Sequence, residues 1–279
     1  MLVRRRGVTI AVLAVLLGAL AAGCGTHHPS RPSAAASGPW SGPRMRSASP
    51  FGTPGVQRTA RPTVGAARVG AVFSDNGSGG HFCTASIVDS PGDSVILTAA
   101  HCVHGGKGGH ESTDLMFVPG YRDGDAPYGE WPITHVVVDK RWVRHSDPNY
   151  DVAFADVATV HGRRVGDVFG GNKLGYDRGY RLRVQITGYP ASTEQPITCG
   201  NDTTRFSAGQ LRIECTGFPG GTSGSPWVTD LDRETHIGTV VGVIGGYQTG
   251  GATPDVSYSP YFGNGVLDLY RTAVRDEQH

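Results

Sequence analysis

An all-β fold is predicted from three features of the sequence. Short runs rich in valine, isoleucine and threonine recur along it. Glycine and proline clusters separate these runs, and the chain holds 42 glycines and 18 prolines. Helical periodicity with a start signal is confined to the C-terminal end. Many short strands between turn signals are the pattern of barrels and sandwiches.

The strand expectations run in order: 68–73, 82–88, 94–98, 115–118, 133–138, 152–157, 182–189, 211–216, 225–228 and 239–244. Thr134-His-Val-Val-Val138 and Leu182-Arg-Val-Gln-Ile186 show the β-branched content and alternation that suit a pleated, half-buried surface. The one helix expected is terminal. Asn264 is placed to cap a stretch in which Val266, Leu267, Tyr270 and Val274 fall near one face.

The first 63 residues read differently. Met1-Leu-Val-Arg4-Arg5-Arg6, then uncharged Gly7 to Gly23, has the basic start and apolar run of a secretory signal. The run is short for a spanning helix, which needs about 20 apolar residues. It ends in Leu20-Ala-Ala-Gly-Cys24, which looks like a bacterial lipoprotein signal cut before a lipid-accepting cysteine; the usual larger aliphatic residue is replaced by Ala21. Residues 1–24 are therefore read as a signal, with Cys24 as a candidate anchor. Residues 25–63 are rich in Pro, Ser, Ala and Arg, and cannot bury enough apolar surface to offset chain entropy. They are expected to be a disordered linker or propeptide, leaving 64–279 as the folded domain.

Charge divides at the same place. Residues 1–63 carry eight arginines and no carboxylate; the remainder has 17 basic and 24 acidic residues. The overall +1 thus hides a basic tail on an acidic domain, which argues against a nucleic-acid partner. Membrane association is expected only through Cys24, and the domain is expected to be a monomer.

Three strings carry chemistry: Thr98-Ala-Ala-His101-Cys102, Asn149-Tyr-Asp151-Val-Ala-Phe154 and Gly220-Gly-Thr-Ser223-Gly-Ser-Pro-Trp227. They supply an imidazole, a carboxylate and a hydroxyl. A serine hydroxyl is a weak nucleophile at neutral pH and needs an adjacent base. His101 fits that need, with Asp151 to hold the imidazole in the useful tautomer. Glycines around Ser223 let the backbone turn sharply and aim the N–H groups of Gly221 and Ser223 at one point, an oxyanion hole. Two other aspartates lie close to Asp151. Asp147 precedes Pro148 and reads as a turn residue; Asp156 continues the strand in a different register.

In order, wording and spacing (50 residues from His101 to Asp151, 72 more to Ser223) these strings resemble the chymotrypsin family. TAAHC resembles the surroundings of that family's base, Asp-Val-Ala those of its carboxylate, and G-x-S-G those of its nucleophile. The resemblance spans about Arg68 to Tyr270. It implies two six-stranded antiparallel β-barrels and a C-terminal helix, with His101 and Asp151 from the first barrel, Ser223 from the second and the site in the cleft between them. It also implies a serine endopeptidase acting on polypeptides, with no metal and no organic cofactor; export is the reading of the signal. Two rivals stand beside it: an esterase using the same triad, and a surface-tethered binding module that has lost catalysis.

Of five cysteines, Cys24 is odd, and the other four allow three pairings. The resemblance implies Cys83–Cys102 as the bridge behind the catalytic histidine, which leaves Cys199 with Cys215. Rings this small stabilise by roughly 3 kcal/mol in the chain-entropy model. Zinc-ligand spacings are missing among these residues.

Digestive members of the family carry an aspartate just before the nucleophile, which pairs with a new N-terminal amine on activation. Here Thr222 stands there, so that activation is not expected. GGTSGSPW instead resembles bacterial secreted glutamyl-endopeptidase-like members. Yet those use a histidine where this chain has Val243-Ile244-Gly245-Gly246, and His236 comes too early. Trypsin-like members keep an aspartate where this chain has Gly217. Gly217, Gly245, Gly246 and Tyr247 are the substrate-binding candidates, with the turn Gly250 to Asp255 as pocket floor. An uncharged pocket for apolar or small side chains is expected, unless Asp255 folds beneath it.

Overall fold

The structure is a computed structural model that describes residues 59–61, 64–74 and 80–277. The signal reading of 1–24, Cys24 included, lies outside the described residues, as does 25–63 apart from Thr59–Arg61.

Six strands close the first barrel: β1 (Val69–Ser74), β2 (His81–Ile87), β3 (Val95–Thr98), β4 (Leu115–Pro119), β5 (Trp131–Val138) and β6 (Ala153–Val157). They run in the order β1-β2-β3-β6-β5-β4, with every pair antiparallel. Because strand side chains alternate between faces, β6 splits its residues. Ala153, Ala155 and Val157 enter the barrel core with Val72, Ile87, Ile96, Phe117 and Trp131. Phe154 faces outward into a second core with Leu97, Val240, Val243, Phe262, Val266 and Leu269. That second core joins the barrel to the rest of the chain.

The remaining strands are β7 (Lys173–Leu174), β8 (Arg183–Gly188), β9 (Ile197–Asp202), β10 (Thr204–Ser207), β11 (Gln210–Glu214), β12 (Pro226–Thr229), β13 (Thr239–Val243) and β14 (Val256–Pro260). They form a five-stranded sheet, β7-β13-β12-β8-β9, and a three-stranded one, β10-β11-β14. The second half is therefore two sheets about a shared core of Ile186, Leu211, Ile213, Trp227 and Val241, not one continuous ladder. A side chain stands at the break: Ser259 Oγ of β14 accepts the Val243 N–H of β13 at 2.9 Å, where a neighbouring strand would offer a carbonyl.

The terminal helix spans Asn264–Asp276. Gly263 precedes it and no side chain caps it, so Asn264 opens the helix without capping. Its buried face is Val266, Leu269 and Ala273; Tyr270 reaches across to Phe154, ring centroids 5.5 Å apart. Glu277 fastens its end, accepting from Ser90 Oγ, Gly92 N, and both N and Oγ of Ser94. At the other end of the domain, Thr59 bridges to Ile197 and Ala60 N donates to Pro196 O. Buried Arg68 donates to the carbonyls of Phe169, Thr235 and His236, tying the start of β1 to the second half.

Candidate active site

His101 sits in a single helical turn, Ala100–Val103, that follows β3 directly. Small residues at 99 and 100 let this turn sink into the barrel core, where both are fully buried. Two devices fix it. Cys102 is bridged to Cys83 of β2, and Thr98 Oγ1 donates to Thr84 O at 2.8 Å. The second bridge, Cys199–Cys215, joins β9 to the residue after β11. His101 lies within ligand reach of the Cys83 and Cys102 sulfurs, but bonded sulfurs offer no thiolate to a metal.

Asp151 ends a tight turn, Pro148–Tyr150, entered through Asp147, whose side chain accepts from Asn149 N at 3.0 Å. Asp147 is thus spent on the turn. Asp151 is fully buried, which is tolerable for a carboxylate only with several donors. It has them. Oδ1 accepts the His101 backbone N–H at 2.9 Å, and Oδ2 accepts Gly246 N–H at 2.8 Å. His101 Nδ1 lies 2.8 Å from Oδ2 and 3.0 Å from Oδ1. A carboxylate only accepts, so Nδ1 holds the proton and Nε2 is left with a free lone pair.

Asp156 stands apart on the outer face of β6, with Phe154, under the terminal helix. Burial, then the charge of Glu277, pushes its carboxyl up to about 6. Among the described residues its Oδ1 has no hydrogen-bond partner.

Ser223 lies in a turn pressed against the first barrel. Thr84 of β2 receives that turn twice: Thr84 N donates to Ser223 O at 2.7 Å, and Thr84 Oγ1 to Gly221 O at 3.0 Å. The Ser223 carbonyl oxygen is 3.8 Å from Cys102 Sγ, next to His101 in sequence. The backbone here is one that only glycine tolerates well. Gly221 has φ +96° and Gly224 φ +85°, and a Cβ on Gly224 would strike Thr84 O. Among the described residues, no protein acceptor takes the N–H of Gly221 or Ser223. Thr222 is buried, its Oγ1 donating to Pro219 O at 2.7 Å while its carbonyl accepts Ser225 Oγ at 2.6 Å. Neutral hydrogen bonds hold this turn, with no charged group among them.

Beside Ser223 opens a cavity of about 330 Å³. Its walls are Phe218–Gly220, Thr222, Ser223, Ile244 and Thr249–Pro254, none of them ionisable. Gly217 is buried next to Phe218 with φ +81°. Gly245 and Gly246 continue from Ile244, buried; Gly245 N donates to Tyr258 O. Tyr247 is not among these walls; its ring packs on Phe206 and Tyr258, with centroids 4.9 and 5.0 Å away. Asp255 is exposed and outside the wall.

Sequence reasoning missed three contributors: the Gly246 N–H, Thr84 as a clamp, and Gln210 beneath Tyr247. None carries a local signal, because each meets partners that only the packing of sequence-distant segments brings together.

A closed six-stranded barrel, two further sheets and a terminal helix define a chymotrypsin-like fold, that of a serine protease. The chain belongs to the Trypsin family, whose model matches residues 58–259. Solved structures agree. The protease Anisep from Arthrobacter nicotinovorans is 28% identical with a TM-score of 0.68, covering 79% of this chain and 100% of its own. A thermostable serine protease, AL20, from an extremophilic microorganism is 29% identical with a TM-score of 0.67, covering 76% and 99%. A Glu endopeptidase shares the fold at 18% identity and a TM-score of 0.64, covering 78% and 96%. No curated protein matches the chain.

Proposed function

We propose that this chain is an exported serine endopeptidase that hydrolyses peptide bonds through an acyl-enzyme. The observation that carries the reading is the Asp151 carboxylate held by His101 Nδ1, His101 N and Gly246 N, which leaves His101 Nε2 as a base beside the Ser223 turn. Ser223 Oγ attacks the scissile carbonyl while Nε2 takes its proton. The developing oxyanion is received by the N–H groups of Gly221 and Ser223, which donate to no protein group among the described residues. Nε2 then passes the proton to the leaving amine. Water, deprotonated by the same nitrogen, releases the acyl group.

The uncharged cavity beside Ser223 suits an apolar or small side chain on the substrate residue whose carbonyl is attacked. Two disulfides fit an oxidising, extracytoplasmic setting. Attachment through Cys24 is the further reading of the signal; a Cys24→Ser variant should then leave the membrane fraction for the medium.

A fluorophosphonate probe tests the core of the proposal. It should label native protein at Ser223 and leave Ser223→Ala unlabelled. Ser223→Ala should fold normally and lose several orders of magnitude in turnover; near-native hydrolysis by that variant would remove Ser223 from the mechanism. Peptide and ester substrates run in parallel separate an endopeptidase from an esterase.

A further inference from the structure

Gln210, the first residue of β11, is 3% exposed although its side chain is polar. Its amide spans the two halves of the domain. Nε2 donates to Pro148 O at 2.8 Å and to Asn149 Oδ1 at 3.2 Å, both in the turn that delivers Asp151. Oε1 accepts the Tyr247 N–H at 3.2 Å, one residue beyond the Gly246 N–H that binds Asp151 Oδ2. The backbone on either side is tight. A Cβ on neighbouring Gly209 would collide with the Asn149 side chain, and one on Gly246 would collide with the Gln210 amide.

We infer that Gln210 is a positioning residue for the Asp151 carboxylate. One buried amide grips the turn that carries Asp151 and the segment after β13 that supplies a hydrogen bond to it, so both approach His101 in fixed register. The chemistry requires an amide. Two donors are needed toward Pro148 and Asn149, and one acceptor toward Tyr247, a set that neither a carboxylate nor an apolar side chain offers. The inference rests on the reading of Asp151 as the group that orients His101.

The test uses Gln210→Met and Gln210→Glu, assayed with one defined peptide beside native protein, Asp151→Asn and Ser223→Ala. Gln210→Met should lower kcat at least 10-fold and leave KM within about twofold, because the substrate cavity is untouched. Gln210→Glu should be impaired at pH 8 and recover relative to native protein near pH 5, where a protonated carboxyl again donates to Pro148 O. Thermal unfolding at each pH keeps stability apart from turnover. Native kcat in folded Gln210→Met, or a loss expressed in KM alone, overturns the inference. If that variant does not fold, an activity ratio for Gln210→Glu that stays flat with pH overturns it instead. If Asp151→Asn keeps native turnover, the carboxylate reading itself falls and takes this inference with it; if only the Gln210 variants keep it, the failure is confined to Gln210.

Discussion

Asp151 and Gly246 lie 95 residues apart, yet the Gly246 N–H donates to Asp151 Oδ2 at 2.8 Å. This bond crosses between the halves of the domain, so the carboxylate beside His101 is shaped by both. Asp151 Oδ1 is engaged by the His101 backbone, which means each oxygen faces an N–H donor.

Asp151→Asn should therefore fail twice. An amide keeps one oxygen, so its NH₂ must face a donor, either at Gly246 or at the His101 backbone. The imidazole also loses the partner that keeps its proton on Nδ1. Turnover should fall by about 10³–10⁴-fold, and unfolding free energy by roughly 1–3 kcal/mol for a buried donor left unpaired. Steady-state kinetics and urea unfolding measure the two effects separately. A stable, fully active variant would contradict the geometry.

The two disulfides should differ in what their loss does. Each closes a ring of similar size, 19 and 16 residues apart in sequence, so removing either should cost about 2–4 kcal/mol. Only Cys83–Cys102 holds the residue next to His101. The Cys83→Ala/Cys102→Ala pair should also lower kcat at a temperature where the protein remains folded. Cys199→Ala/Cys215→Ala should leave kcat near native under the same condition. Equal kcat in both double variants would show that the first bridge has no part in holding His101.

His81 makes the fold acid-sensitive. It is buried among Phe73, Tyr121 and Tyr189, and its Nε2 lies 3.0 Å from the Thr193 carbonyl, which can only accept. Nε2 therefore holds the proton, and among the described residues Nδ1 has no partner. Burial pushes its pKa down to about 4. The unfolded chain binds a proton from about pH 6.5 downward while the folded one resists until about 4. Stability is thus complete above pH 6.5 and declines as pH falls across that window, by about 2–3 kcal/mol. His81→Leu, which loses the Thr193 hydrogen bond, should be less stable than native at pH 7.5. The gap should close by pH 4.5 in chemical denaturation, and a constant gap would refute the assignment.

Asp156 has the opposite sign. Its carboxyl is raised to about 6 by burial and by Glu277, so the folded state holds a proton that the unfolded state gives up near pH 4. Stability from this site is present at low pH and declines between about pH 4 and 6. Asp156→Asn should raise the unfolding free energy at pH 7.5 by about 1–2 kcal/mol and change little at pH 4. A variant that is destabilised at pH 7.5 would mean that the ionised carboxylate holds the terminal helix.

Legibility in the sequence followed the range of the signal. The ten strands read from β-branched runs between glycine and proline clusters all exist, because each buries at least one face and writes that burial into its own residues. The strands at Lys173–Leu174, Ile197–Asp202, Thr204–Ser207 and Val256–Pro260 left no such trace. Thr204–Ser207 is exposed throughout and Lys173–Leu174 is two residues long. Ile197–Asp202 carries glycine, asparagine and aspartate that read as turn. The short helix Lys140–His145 escaped for a related reason: only Trp142 of its six residues is buried. His101, Asp151 and Ser223 stood out because their neighbours have a characteristic wording. Gln210 and Thr84 did not, since the groups that their side chains bind at the site lie 37 residues or more away in sequence.

On the proposed function, the cavity beside Ser223 should set the residue preferred at the cleaved bond. Ile244 and Phe218 give it apolar walls, and among the described residues no ionisable side chain lines it. A basic or acidic side chain entering it would shed its hydration with no opposite charge to meet, a large cost. Apolar and small residues should therefore dominate, with discrimination among them of about 1–3 kcal/mol per methylene. Asp255 is exposed on the turn beyond Pro254, so Asp255→Ala should leave the preference unchanged. Profiling cleavage of a diverse peptide library by native protein and by that variant measures both expectations at once. A dominant preference for arginine or lysine that disappears in Asp255→Ala would replace this account, because the Asp255 carboxylate would then have to form the cavity floor when substrate is bound.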